Sequence, residues 1–369
     1  MMRVRCIAGV MVFALVCAHA DAKKPNVILI MADDLGYETL GTYGTVNNKT
    51  PELDRLAATG MKFNHCYSQP LCTPSRVQIM TGRYNFRNYK AFGILPKSEI
   101  TFGHLLQEAG YATAVAGKWQ LWGSNTKNPE DKGTGFLPDA AGFDAYCLWQ
   151  VKKTKKLGER YADPYIDVNG DGGSTYENGY GPDVFTDFIL DFIEAKRDEP
   201  FFVYYPMALT HDPFVPTPDS PEWDGNRYAK RTKHFGDMVE YMDKVVGQIV
   251  AKLDELGLRD DTLVIFTGDN GTHNSIRTRM TDGRRIRGDK GQPTDGGTRV
   301  PLIANWPGVI AAGQVNDNLI DFSDFLPTLV ELTGAKLPGD RVLDGRSFLH
   351  QLKGEAGEVR DWVFCHYDP

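Results

Sequence analysis

The chain is predicted to fold as an α/β domain, with a largely parallel central sheet flanked by helices on both faces. Three observations point there. Residues 27–32, 201–205 and 262–267 are apolar or β-branched without alternation, as in strands buried on both faces of a parallel sheet. Between such runs lie segments with helical apolar spacing, at residues 101–109, 183–195 and 237–256. Polar and charged residues then collect just after the strands, where open α/β sheets place their working groups.

Residues 1–20 read as a secretory signal peptide. Arg3 and Arg5 precede an apolar stretch from Ile7 to Cys17 that is short for a bilayer, and Ala18-His19-Ala20 supplies a small-residue cleavage site. The mature protein would be secreted or periplasmic, with no membrane span once the signal is removed. Residues 21–369 read as one domain, long enough for a large core. A net charge of −7 argues against nucleic acid and against a broad basic groove for a polyanion. An anionic substrate would therefore be gripped locally, by a few cations and a metal. The cysteines beyond the signal are Cys66, Cys72, Cys147 and Cys365, a set that suits neither a disulfide scaffold nor a zinc site.

Taken in order, the run from Asn26 ends in Asp33-Asp34. Adjacent acids at a buried strand end repel unless they share a cation, so the pair predicts a hard metal; the plainer reading is a solvated loop start. Thr50 is expected to cap a helix beginning at Pro51, with Leu53, Leu56 and Ala57 on its buried face. Pro74 is expected at the first position of the next helix, with Val77, Ile79 and Met80 buried and Gly82 as the stop. Cys72 then lies where unpaired N–H groups favour negative charge, and Arg76 can fold back toward it. A strand over 111–116 delivers Gly117-Lys118-Trp119-Gln120.

Residues 123–182 sustain no period. Within them, residues 167–172 match half of an EF-hand loop, but Asn178 stands where the last acid belongs, which leaves an Asx-rich turn. Strand 201–205 leads to Thr210-His211-Asp212-Pro213, and strand 262–267 to Gly268-Asp269-Asn270-Gly271-Thr272-His273. An acid and an amide between glycines offer two more oxygen ligands, although that string is also ordinary turn chemistry. Basic residues from Arg277 to Arg287 precede Lys290. Residues 302–306 are expected to form a further strand, 322–332 a helix, and 363–369 a last strand and its exit.

Cys72-Thr73-Pro74-Ser75-Arg76 resembles the Cys-x-Pro-Ser-Arg signature of the type I, formylglycine-dependent sulfatases of the alkaline phosphatase superfamily. The remaining landmarks follow in the family's order: Asp33-Asp34, Gly117-Lys118-Trp119, His211, Asp269-Asn270 and Lys290. The resemblance implies hydrolysis of sulfate esters, and similarity to bacterial-type polysaccharide sulfatases points to a carbohydrate. Cys72 would be oxidised by a formylglycine-generating enzyme to formylglycine, whose hydrated aldehyde is the nucleophile. One calcium ion would be held by Asp33, Asp34, Asp269, Asn270 and the modified Cys72. Arg76 would fix the gem-diol, Lys118 and Lys290 would bind sulfate oxygens, and His211 would protonate the departing alcohol.

Two departures stand out. Gln120 stands where the family usually has histidine, and glutamine cannot act as a base. His273 is the candidate substitute; its other reading is a cap on the loop after Asn270. The chain also stops where family members commonly continue into a smaller C-terminal subdomain, which is expected to be absent or truncated. With Cys72 modified, three cysteines permit at most one disulfide. The alternatives are a phospho- or phosphonate-ester hydrolase of the same superfamily and a non-catalytic binder of sulfated glycans.

Overall fold

The computed structural model describes residues 23–124, 126–153 and 159–366; the predicted signal peptide lies outside them. The strands are β1 (Asn26–Ala32), β2 (Met61–Tyr67), β3 (Ala112–Lys118), β4 (Ala145–Trp149), β5 (Tyr165–Val168), β6 (Ser174–Thr175), β7 (Phe201–Pro206), β8 (Thr262–Gly268), β9 (Arg277–Arg279), β10 (Arg285–Arg287), β11 (Arg299–Asn305) and β12 (Gln314–Asp321). Ten of them form one sheet in the order β12-β2-β11-β8-β1-β7-β3-β4-β5-β6, while β9 and β10 make a separate hairpin. The middle of the sheet, β8-β1-β7-β3-β4, is parallel throughout, as predicted.

Every residue of β1 is buried, and successive side chains enter opposite layers. Ile28 and Ile30 pack with helices α1 (Pro51–Ala58), Gly181–Ala195 and His234–Glu255. Val27, Leu29 and Met31 pack with α2 (Cys72–Thr81) and the helices Phe102–Glu108 and Phe325–Thr333. A strand covered on both sides needs apolar residues at every position, hence the unbroken run. No helix among the described residues is long and apolar enough to cross a membrane.

The outer parts of the sheet depart from the expectation. β11 runs antiparallel to β2 and β8, and β5 and β6 extend the sheet antiparallel beyond β4. β4 to β6 lie in the stretch without a period, because they are short and set between Gly- and Asn-rich turns. The EF-hand-like string is indeed an Asx turn: the Gly170 N–H donates to Asp167 at 3.0 Å, and the Val168 and Gly173 N–H groups donate to Asp171 at 3.1 and 2.8 Å. The expected last strand does not form over residues 363–366, and residues 367–369 lie outside the described ones; Phe364 and His366 are held instead by the Gln69 amide at 3.0 and 2.8 Å. Nearby, Phe86 and Trp362 remain about half exposed beside Tyr84 and Phe364.

Two helix starts also differ. Thr50 donates to Asp54 at 3.1 Å rather than capping α1, and the Asp243 carboxylate accepts the Glu52 and Leu53 N–H groups at 3.0 and 2.8 Å. A cap from the helix His234–Glu255 thus replaces the local one. Helix α2 begins at Cys72, so Pro74 is its third residue, not its first. Proline is accommodated there because the N–H groups of the first turn have no partner within the helix. Gly82 ends α2 at a φ of 66°, as expected.

Candidate active site

Helix α2 is buried along its whole length, although Thr73, Ser75, Arg76, Gln78 and Thr81 are polar. Each finds a partner, as buried polar groups must. Thr73 Oγ1 accepts the Gly93 N–H at 3.0 Å, Ser75 Oγ donates to the Leu71 carbonyl at 2.9 Å, Gln78 Nε2 donates to Asp321 at 2.6 Å, and Thr81 Oγ1 donates to the Val77 carbonyl at 2.6 Å. The helix can therefore be driven into the carboxyl end of the sheet, with Cys72 in its first turn only 2% exposed.

Strand ends meet it there. The Asp34 N–H donates to Asp269 Oδ1 at 3.0 Å, and Asn270 Nδ2 donates to Asp34 Oδ1 at 2.9 Å, which joins the exits of β1 and β8. Ligand atoms of Asp33, Cys72 and Asp269 lie within 4.8 Å of one another, as do those of Asp33, Asp34 and His211. Arg76 donates to the Lys118 carbonyl at 2.7 Å and to Asp269 Oδ2 at 3.4 Å, rather than to Cys72. The Lys118 ammonium donates to Asp33 at 2.7 Å. Lys290 donates to Asp34 at 2.6 Å and lies 3.1 Å from His211 Nε2. Gly117, just before Lys118, has a φ of 116°, and a Cβ there would sit 2.1 Å from the Pro206 carbonyl oxygen. Only glycine lets β3 meet β7 so closely.

The charges are balanced locally. Burial would push Asp33 up, but Lys118, His211, Arg76 and Lys290 hold it far below the ordinary carboxylate range. Asp34 is likewise held down, by His211 and Lys290 against burial and the Asp33 charge. Asp269 is pushed up by burial and by Asp33, which Arg76 and Lys118 offset only in part. The long contact from Arg76 agrees with that outcome. Burial also pushes the Cys72 thiol up, with Lys118 opposing.

Asp33 Oδ1 and Asn270 Oδ1 are buried and accept no hydrogen bond among the described residues. Two such oxygens beside the carboxylates of Asp34 and Asp269 fit a hard cation such as calcium, which prefers oxygen ligands. The all-oxygen donor set points the same way.

His273 does not belong to the cluster of ligand atoms that contains Cys72. Its ring stands edge-on to Phe214, 5.7 Å between centroids, and Nδ1 accepts the Ser275 N–H at 3.2 Å within its own turn. The loop-cap reading fits these contacts. The polar neighbour of Cys72 is Gln120 itself, whose Oε1 lies 3.9 Å from the thiol sulfur. Gln120 and Asp34 both hold left-handed backbone conformations, with φ of 53° and 62°; strain of this kind gathers at working sites. Tyr161 was not foreseen: its hydroxyl donates to the Ala208 and His211 carbonyls at 2.8 and 2.5 Å and so holds the His211 loop. It lies in the stretch without a period, where no sequence signal marks it. Cys66, Cys72, Cys147 and Cys365 are all free thiols.

Fold and site together define an ester hydrolase of the alkaline phosphatase-like α/β class. The chain belongs to the sulfatase family, whose model matches residues 25–335, and it is a sulfuric ester hydrolase. It is 33% identical to the steryl-sulfatase of Mus musculus, over 94% of this chain and 68% of that protein. It is 35% identical to the N-acetylgalactosamine-6-sulfatase of Mus musculus, over 92% of this chain and 68% of that protein. Among solved structures it resembles Ps i-CgsB in complex with k-i-k-neocarrahexaose, with a TM-score of 0.75 and 28% identity, over 90% of this chain and 77% of the other.

Proposed function

We propose that this sulfatase removes sulfate from a carbohydrate, with formylglycine made from Cys72 as the nucleophile and one calcium ion as cofactor. The observation that carries the reading is the convergence of Cys72, Asp33, Asp34, Asp269 and Asn270 with three cations at one end of the sheet. A buried thiol pushed up in pKa is a weak nucleophile, which favours conversion of Cys72 by a formylglycine-generating enzyme. Calcium, when bound, supplies positive charge that acidifies a hydroxyl and neutralises the transition state.

The chain's own groups do the rest. Asp33, Asp34, Asp269 and Asn270 hold the ion. Arg76 ties α2 to the exits of β3 and β8 and fixes the nucleophile's position. Lys118 and Lys290 each use a donor on a carboxylate and keep others for sulfate oxygens. His211 Nδ1 donates to the Asp212 carbonyl at 2.6 Å and leaves Nε2 as the acceptor facing Lys290 at 3.1 Å, so Nε2 is the atom that would take up a proton and pass it to the leaving alcohol. Gln120 Oε1 is an acceptor that orients a hydroxyl at position 72 without removing its proton, which leaves solvent to accept it. Carbohydrate is favoured by the two relatives whose names carry a sugar and by the signal-like residues 1–20, which also favour a secreted or periplasmic protein.

Mass spectrometry of the tryptic peptide 63–76 tests the nucleophile, with formylglycine expected at position 72. Turnover of an aryl sulfate, faster than of the matching aryl phosphate and lost on chelation, tests the reaction. An unmodified thiol in protein matured in its own host would favour the sulfated-glycan binder, and faster phosphate release the phospho-ester hydrolase.

A further inference from the structure

The arginines of the hairpin take no part in this chemistry. β9 and β10 pair antiparallel, with Arg279 opposite Arg285 and Arg277 opposite Arg287. Residues two apart on a strand share a face, so all four stand exposed on one side, with Thr278 buried and Ile286 half-buried behind them. Like charges directly opposite one another destabilise an antiparallel pair. Arg277, Arg279 and Arg285 have no acidic partner among the described residues, and Arg287 donates to the Asn274 carbonyl at 3.1 Å. The nearby acids are engaged elsewhere: Asp282 holds Arg284 at 2.7 Å, and Asp289 accepts from Thr294 at 2.8 Å.

The hairpin rises between two parts of the site. It leaves from the Asn270 loop and returns to Lys290, whose N–H donates to the Thr272 carbonyl at 3.1 Å and whose ammonium reaches Asp34. Arg287 is three positions from Lys290, at most about 11 Å of extended chain. Along the hairpin's edge runs a groove of about 250 Å³, lined by Asn47, Asn48, Lys233 and Arg277 beside Phe235 and Ile276. Lys233 also pairs with Glu222. Amides suit sugar hydroxyls, cations suit sulfates, and apolar side chains suit the flat face of a sugar ring.

We propose that this face binds the sulfate groups of neighbouring sugars in a multiply sulfated glycan while one ester is presented at Cys72. The inference rests on the carbohydrate reading above and narrows it to a polyanionic chain. A guanidinium fork meets a sulfate through two parallel hydrogen bonds, and a two-stranded ladder sets four forks in fixed register. Sulfates between the opposed arginines would relieve the repulsion that the empty ladder carries.

Binding tests this without turnover. Calorimetric titration of the full chain carrying Cys72→Ala, with heparin and carrageenan oligosaccharides of increasing length, is expected to show affinity that rises with length and falls with added salt. In the same background, Arg277→Ser/Arg279→Ser/Arg285→Ser is expected to bind the longest oligosaccharides about 10–100-fold more weakly. Lys336→Ser/Lys353→Ser serves as the surface-charge control, with affinity unchanged. Should the triple variant unfold early, Arg285→Gln alone is expected to weaken binding several-fold and decides the matter. Affinity that ignores length, equal affinity in the arginine variant, or duplex DNA bound as tightly through the same arginines would overturn the proposal. Formylglycine and turnover do not enter this measurement, so failure of the proposed reaction and failure of the proposed surface are read separately.

Discussion

Asp33 and Asp34 at the strand ends and Asp243 at the start of α1 are all buried carboxylates, and they behave in opposite ways. At the strand ends Asp33 and Asp34 stay ionised because cations stand against the effect of burial. At the start of α1, burial pushes Asp243 up to about 6, opposed mainly by hydrogen bonds from two backbone N–H groups. Both sets accept hydrogen bonds, so the difference lies in the cations. A cap needs only an acceptor. A site proposed for a divalent ion and a sulfate must keep charges alive in the interior; Lys118 and Lys290 help do so for Asp33 and Asp34, whereas Asp269 beside Arg76 and Asp33 is still pushed up.

The largest expected effect comes from removing the proposed nucleophile while leaving both carboxylate sets intact. Cys72→Ala should lower kcat/KM on an aryl sulfate by about 10⁴-fold or more, with an unchanged unfolding midpoint. Next, Lys118→Met would leave Asp33 buried without its nearest cation, much as Asp243 is. Breaking a buried pair in this way destabilises by about 3–5 kcal/mol, measurable by urea unfolding, and added calcium should restore part of the loss. Unchanged stability in this variant would break the comparison.

His211→Ala should slow hydrolysis of a sugar or alkyl sulfate by about 10²–10⁴-fold. The effect should be much smaller on 4-nitrophenyl sulfate, whose leaving group needs no proton. Equal losses on both substrates would remove His211 from the role of acid. The smallest effect concerns Asp243 itself. Its folded value of about 6 lies above the ordinary 3.8, so the native state keeps the proton longer than the unfolded chain does. Its contribution to stability is therefore greatest at the acid end and falls as pH rises through that window. Asp243→Asn should remove this part of the slope, seen as the difference between wild-type and variant urea midpoints across the same pH range.

Much of the candidate site was legible because it lies where strands end. Asp33 and Asp34 follow β1, Lys118 closes β3, His211 follows β7, and Asp269 and Asn270 follow β8. An apolar run predicts its own burial and direction from neighbouring residues alone, so the groups at its exit can be read with it. The same logic failed wherever the deciding partner was distant or the elements were short. Thr50 looks like a cap, yet the acceptor for α1 is Asp243, 190 positions beyond the Leu53 N–H it receives. His273 follows the Asp269-Asn270 string, and its contacts there are with Ser275 and Phe214.

By itself, then, the sequence determined the parallel core of the sheet, the helices that cover it and the order of the polar groups at its edge, since these follow from local pattern. Tertiary structure alone decided which charges meet. A net charge of −7 argued against a broad basic groove, and the run of basic residues from Arg277 to Arg287 did not say that four arginines would align on one ladder. Pairing, burial and register are properties of neighbours in space, and neither composition nor spacing along the chain contains them.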